Sequence, residues 1–383
     1  MENFTNTTAE KKITSVCDRF SKTYTDYDFA ALKSDEALCP KKWSTERLNS
    51  LRFAPIETVE ENAFAPVVTK EAIDDTTEST GLAVFINGLA YPVRDTAIKT
   101  ILDRARINGY SLPKLAKEDL AFILNKCVEL YNEDSLVLVQ EQKVSAIHSG
   151  DAKGFAILPI PSLLAELEET LNFRFPGWEI IRGYRDHSYT ACEIRMPGQK
   201  DDLLRSYEDI LASEGKRVLA DKLCPGLKFV TSDVGVCSVR VSAFLTGTKV
   251  PILVGSCIEV DHRGSKKVED FADALSGVFV KFGDALDKLT ALHGVILNYP
   301  VNAMQRICKH LHLPKKASME VIAMFEDANG GNVPTPASDV YYAMQEILMN
   351  TNEKTNKFVL EENLSRALSL NWKTFDLAKP IEW

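Results

Sequence analysis

Between Gly226 and Val295 the hydrophobic pattern changes period. Leu227–Thr231, Val236–Leu245 and Val250–Val260 are rich in β-branched residues and partly alternate apolar with polar positions, as half-buried strands do. Phe271, Ala274, Leu275, Val278, Phe282, Leu286 and Leu289 then recur at spacings of three, four and seven, which predicts one long helix over Lys267–His293.

Upstream, the pattern predicts three hairpins. LAVFI and LAYPV flank Asn87-Gly88, a pair that supplies the positive φ angles of a type I′ turn. Ser135–Gln140 with Lys143–His148, and Trp178–Tyr184 with Tyr189–Met196, are the other two. Helical spacing falls at Asp95–Ile107, Leu120–Leu130, Pro159–Leu171 and Asp201–Ala212, the last running on toward Val218. From Pro300 the pattern is all helix: Val301–Leu311, Ser318–Ala328, Ala337–Met349 and Leu360–Leu368. Hairpins with helices between and after them predict an α+β fold. Its sheet is expected to be mostly antiparallel, with a long helix and a helical C-terminal region.

Residues 1–80 have no strong period. Short helices are expected at Lys11–Phe20 and Ser44–Arg52, and Thr69–Gly81 reads as a polar linker. The chain therefore divides into an acidic, polar arm or linker (1–80), an α+β core (81–299) and a helical C-terminal region (300–383).

Composition narrows the setting. The 383 residues are 45% hydrophobic, enough for a core of normal size. A net charge of −9 argues against non-specific binding to nucleic acid or acidic membranes and leaves room for a local basic surface. The N-terminal stretch lacks the apolar centre of a signal peptide, and no run approaches the ~20 apolar residues of a membrane span. Eight scattered cysteines without a CxxC pair fit free thiols in a reducing cytoplasm and lack zinc-site spacing. Walker, dinucleotide-binding, GxSxG, HExxH and kinase signatures are absent, so no cofactor or metal is expected and an enzyme is the less favoured reading.

Candidate chemistry is local. Thr231-Ser232-Asp233-Val234-Gly235 offers a hydroxyl, a carboxylate and backbone amides to a ligand, or simply closes a turn. Asp233 and His262 are the weak catalytic candidates, with His148 and His187 as conceivable co-ligands of a metal; a solvated turn histidine is the plainer account of His262. His310 and His312 lie two apart on a helix and cannot share one metal as an i, i+4 pair can.

Two basic, aromatic stretches suit phosphate contact and base stacking. One is Arg94, Lys99, Arg104, Arg106 and Tyr110; the other is Arg182, Tyr184, Arg185, His187, Tyr189 and Arg195. The competing account is a solvated structural face. Met304–Phe325 has the outline of a helix-turn-helix, but Met319 and Glu320 stand where base-reading residues belong, so an ordinary αα-hairpin is expected.

Three segments carry a family resemblance: Lys143–Leu164, Phe229–Leu245 and Ile258–Leu275. A strand ending near Ser149 precedes Leu158-Pro159-Ile160-Pro161; Ser232-Asp233-Val234-Gly235 opens a strand; His262-Arg263-Gly264 precedes a long helix. In order and character these resemble the phage- and plasmid-like proteins grouped as domain of unknown function 932. Cys257 stands without the Arg and Asn that often accompany it in that family. The resemblance implies a setting on mobile DNA and no particular activity. With the basic hairpin, it leads to the expectation of a mobile-element accessory protein that binds nucleic acid, single-stranded DNA first, as an oligomer. The alternatives are a self-assembling or partner-binding protein, such as an anti-defence or structural factor, and a metal-dependent nuclease or phosphohydrolase.

Overall fold

The three strands predicted after Gly226 lie side by side in the largest sheet of the computed structural model, which describes residues 28–107, 112–148, 154–351 and 357–383. In chain order the elements begin with α1 (Phe29–Leu38), β1 (Lys41–Arg47), β2 (Arg52–Pro55), α2 (Lys70–Glu78), β3 (Leu82–Ile86), β4 (Leu89–Pro92), α3 (Asp95–Arg104), α4 (Lys117–Glu129), β5 (Asp134–Gln140) and β6 (Lys143–His148). They continue with α5 (Ile160–Arg174), β7 (Glu179–Arg185), β8 (Thr190–Arg195), α6 (Lys200–Ser213), α7 (Arg217–Lys222), β9 (Cys224–Thr231), β10 (Val239–Thr246) and β11 (Ile252–Val260). The rest is mainly helical: α8 (Val268–Leu275), α9 (Val278–Ala291), β12 (Ile296–Leu297), α10 (Pro300–His310), α11 (Lys315–Asn329), β13 (Thr335–Pro336), α12 (Ala337–Gln345), α13 (Ile347–Asn350) and α14 (Lys357–Ser365).

The fold is α+β, and the named strands pair antiparallel throughout. One sheet runs β11-β10-β9-β8-β7, a second β1-β5-β6 and a third β2-β3-β4, with β12-β13 a short pair. Two large apolar cores result among the described residues, with three small clusters beside them. The larger gathers Phe229, Val241 and Ile258 from the five-stranded sheet with Phe271, Phe282, Tyr341 and Trp372 from the helical half. The smaller packs α3 and α4 on β2–β6 through Ile101, Leu124, Val84 and Val137. Each fully buried Phe or Leu is worth about 1.5–3 kcal/mol against exposure. Among the described residues no helix is long and apolar enough to cross a membrane.

Five expectations need correction. The long helix is two: α8 stops at Leu275 and α9 starts at Val278. The Ser276 hydroxyl bonds the Asp273 carbonyl at 2.6 Å, competing with the helical ladder, and Gly277 is a poor helix former. Ser44–Arg52 is not an α-helix: it ends β1, makes a single 3-10 turn at Leu48–Ser50 and enters β2 at Arg52. β1 pairs with β5 along its whole length, and that tertiary pairing overrides a weak local preference. Thr69–Gly81 is not a linker but holds α2, with Thr69 as N-cap accepting from the Ala72 amide and Gly81 leaving at φ 66°. It looks like a linker because α2 buries only Ala72 and Thr76. His312 is not helical; α10 ends at His310 and His312 turns at φ 54°. Residues 28–80, expected to be an arm, supply β1 and β2 to sheets completed by later strands. The helix expected at Lys11–Phe20 lies outside the described residues.

Candidate functional site

The two cores meet along a line of alternating charge. From α1 comes Glu36, from β1 Lys41, from the β9–β10 turn Asp233, from β7 Arg185, from the β5–β6 turn Glu141, and from before α3 Arg94. Lys41 Nζ donates to Glu36 Oε2 at 2.5 Å and Asp233 Oδ2 at 2.6 Å. Arg185 Nε donates to Glu36 Oε1 at 3.0 Å, and its Nη2 reaches Glu141 Oε1 at 3.3 Å. Arg94 Nη2 closes the series on Glu141 Oε2 at 2.9 Å. The Thr190 hydroxyl also donates to Glu36. Three cations and three carboxylates cancel, which is how charges survive burial.

Their ionisation follows from that arrangement. Burial pulls the Lys41 ammonium down, but Asp233 and Glu36 more than offset it, and its pKa ends above the ordinary value. Burial also pushes the Glu141 carboxyl up, yet Arg94 and Arg185 hold it below the usual range. For Asp233 burial wins over Lys41 and the carboxyl is raised.

Beside this seam the structure brings together three of the residues imagined as a metal site. Phe155 lies parallel to His148, centroids 3.7 Å apart, and parallel to His262 at 5.2 Å. His262 Nδ1 faces the Ala156 carbonyl at 3.1 Å. Both Nε2 atoms are buried without a partner among the described residues. Burial drives the His148 pKa down to about 4 and lowers that of His262, so both rings are neutral at pH 7. Phe155 in the stack is what sequence reasoning missed, since nothing local marks it. His187 lies elsewhere, its Nε2 3.7 Å from Asp95. Among the described residues no three His, Cys, Asp or Glu side chains are placed to hold one metal ion. His262 is buried rather than solvated. In the Thr231–Gly235 turn, the Ser232 hydroxyl accepts from the Val236 amide and the Asp233 carboxylate is held by Lys41, so both groups are used within the protein.

The basic hairpin of β7 and β8 sits under α14. Arg182 makes a two-pronged bond to Glu193, at 2.6 and 2.9 Å, and Lys228 bridges Glu193 and Glu361. Tyr184 and Tyr189 face the Phe358 ring, with centroids at 5.8 and 4.8 Å, and Tyr184 donates to Asp186. Asp186 also accepts from the Ser188 and Tyr189 amides, closing the turn. Arg185 belongs to the seam, and the exposed Arg195 pairs with Glu179. Of the other basic set, Arg94 is in the seam and Lys99 and Arg106 are exposed on and just after α3. Tyr110 and the side chain of Arg104 lie outside the described residues.

A different cationic face lies on α10 and the turn into α11, where the two helices form an αα-hairpin. Arg306, Lys309 and His310 occupy one side of α10, with Lys315 and Lys316 opening α11. Among the described residues none of these five pairs with a side-chain carboxylate. Three of them instead donate to main-chain oxygens of residues 377–383: Arg306 Nη2 to Lys379 at 2.6 Å, Lys309 Nζ to Glu382 at 2.9 Å, and Lys315 to Trp383. The Arg306 Nε is buried and unpartnered. Beside them an open cleft of about 420 Å³ is lined by Arg306, Lys309, His310, Thr374, Phe375 and Ile381. His310 and Phe375 rings stand 5.4 Å apart there. The signal in the sequence is the basic run Arg306–Lys316, which a test for base-reading residues does not select because the second helix lacks them early on. No protein-family model matches this chain, and no curated protein or solved structure is significantly similar to it.

Proposed function

We propose that the protein is a nucleic-acid-handling accessory factor of a mobile element, phage or plasmid, that engages single strands through α10 and the turn into α11. The observation that carries this reading is the set of cations Arg306, Lys309, Lys315 and Lys316, with His310 beside them, none paired with a side-chain carboxylate among the described residues in a chain of net charge −9. Such cations attract phosphates, and the Phe375 ring beside them provides the flat surface on which a base stacks. The mobile-element setting rests on the resemblance of the three segments named above. The hairpin is the weaker candidate, because Arg182, Arg185 and Arg195 already have carboxylate partners and Tyr184 is covered.

Fluorescence anisotropy with labelled single- and double-stranded DNA over a salt series tests the reading. Lys309→Glu, Lys315→Glu and Lys316→Glu together are expected to weaken single-strand binding at least tenfold. The slope of log affinity against log salt should fall by about 2, at about 0.7 for each lost phosphate contact. Arg195→Glu should change neither. Loss with Arg195→Glu but not with the triple variant moves the site to the hairpin, and no binding at low salt either by the parent or by a chain ending at Asp376 ends the reading.

A second reading, self-association or capture of a protein partner, is favoured by one feature. Phe173 is 80% exposed beside an open groove on α5 formed with Ala165, Glu168, Glu169 and Asn172. Under it, light scattering gives a mass above one chain that Phe173→Ser returns to one; a single-chain mass for the parent removes self-association.

A further inference from the structure

We infer that residues 377–383 are an autoinhibitory strap that competes with nucleic acid for the cationic face of α10. The inference rests on the proposed phosphate-binding role of that face and concerns its regulation.

The strap (Leu377-Ala378-Lys379-Pro380-Ile381-Glu382-Trp383) has no regular secondary structure and runs along α10. Asn302, Arg306 and Lys309, spaced four and three, share one side of that helix. Asn302 Nδ2 donates to the Leu377 and Ala378 carbonyls at 3.0 and 2.9 Å, Arg306 to Lys379 and Lys309 to Glu382; Lys315 of the next helix takes Trp383. The donors that hold the strap are therefore largely the same cations that would hold phosphates, and one atom set cannot serve both at full strength.

Two features make the strap the weaker occupant. It offers mostly neutral carbonyl oxygens, and these lack the attraction between opposite charges that a phosphate oxygen adds. Its attachment is also one-sided. Among the described residues no amide of 378–383 donates to another backbone group, and Pro380 has none to give. Beyond the side-chain donors, its hold comes from Ile381 and Trp383, which are half-buried, Trp383 against the larger core. A segment with so few buried contacts and no backbone ladder opens at low cost. Asp376, just before the strap, bonds the Asn298 and Tyr299 amides at 3.0 and 2.7 Å and fixes where the strap begins.

The test is single-strand binding by three proteins: the parent, a variant ending at Asp376, and Trp383→Ala, which weakens the strap's apolar anchor but keeps its carbonyls. The probe is a labelled oligodeoxythymidylate in a salt series. Removing the strap is expected to tighten binding about tenfold or more. The salt slope should stay near that of the parent, since the same cations meet phosphates in both complexes once the strap is displaced. Trp383→Ala should move the same way by less, and a synthetic peptide of residues 377–383 should weaken binding by the shortened variant. Binding by the parent that neither variant tightens overturns the strap and leaves the proposed function standing. Absence of binding by all three overturns both.

Discussion

Lys41→Met is expected to lower the free energy of unfolding by about 3–5 kcal/mol, the range seen when one partner of a buried ion pair is removed. The Lys41 side chain is 14% exposed and sits between Glu36, at 1%, and Asp233, at 8%. Methionine keeps the stem and its packing but not the charge. It leaves Asp233 buried without its cation and Glu36 with Arg185 and Thr190 as its remaining partners. The sheets holding β1 and β9 then meet across an uncompensated carboxylate. Urea unfolding should show the loss as a lower midpoint at an unchanged m-value. The comparison is Arg195→Met: the Arg195–Glu179 pair is about half exposed on both sides, and its loss should cost under about 1 kcal/mol. Adding Asp233→Asn to Lys41→Met should recover part of the loss, because the stranded charge is then gone. A Lys41→Met protein within about 1 kcal/mol of the parent would show the seam to be solvated and not a buried junction.

How the seam escaped a reading of the sequence is instructive. Periodicity finds elements that carry their own pattern, so the Asn87-Gly88 hairpin and the β-branched strands after Gly226 lie close to where their residues predict. It fails where a partner decides. Lys41–Arg47 becomes a strand because β5 lies alongside it, and the Thr69 cap is reinforced by Gln142, whose side chain accepts from both its amide and its hydroxyl. The candidate sites fail for the same reason on a larger scale. Arg182 and Arg185 look like free cations on a strand, but Glu193 is eleven residues from the first and Glu36 lies 149 from the second. The Lys228–Glu361 bond spans 133 residues. Charge balance over such separations has no local signature. The residues of α10 could be seen as basic at once; that no side-chain carboxylate among the described residues answers them could not.

Below pH 6.5 the protein is expected to lose stability steadily, on the order of 3 kcal/mol by about pH 4 from His148 alone. Burial holds His148 neutral to about pH 4, and its bond to the Asp233 backbone, which favours the protonated ring, is too weak to offset that. Unfolding returns the ring to a pKa near 6.5. Between these values the unfolded chain takes up a proton that the folded protein refuses, so each step down in pH favours unfolding. The stability is fully present above pH 6.5 and is lost as pH falls toward 4. His262, also lowered by burial, acts in the same direction, and Glu141 adds to the loss once pH drops through its own depressed range. Asp233 opposes them, because its raised carboxyl takes up a proton in the folded protein first. Urea unfolding at intervals from pH 7.5 to 4.5 measures the slope. His148→Asn, which keeps an amide nitrogen near Nδ1 but does not titrate, should flatten most of it. The same acid slope in His148→Asn would mean that His148 is protonated in the folded protein near its ordinary pKa, and that its place in the Phe155 stack is open to water.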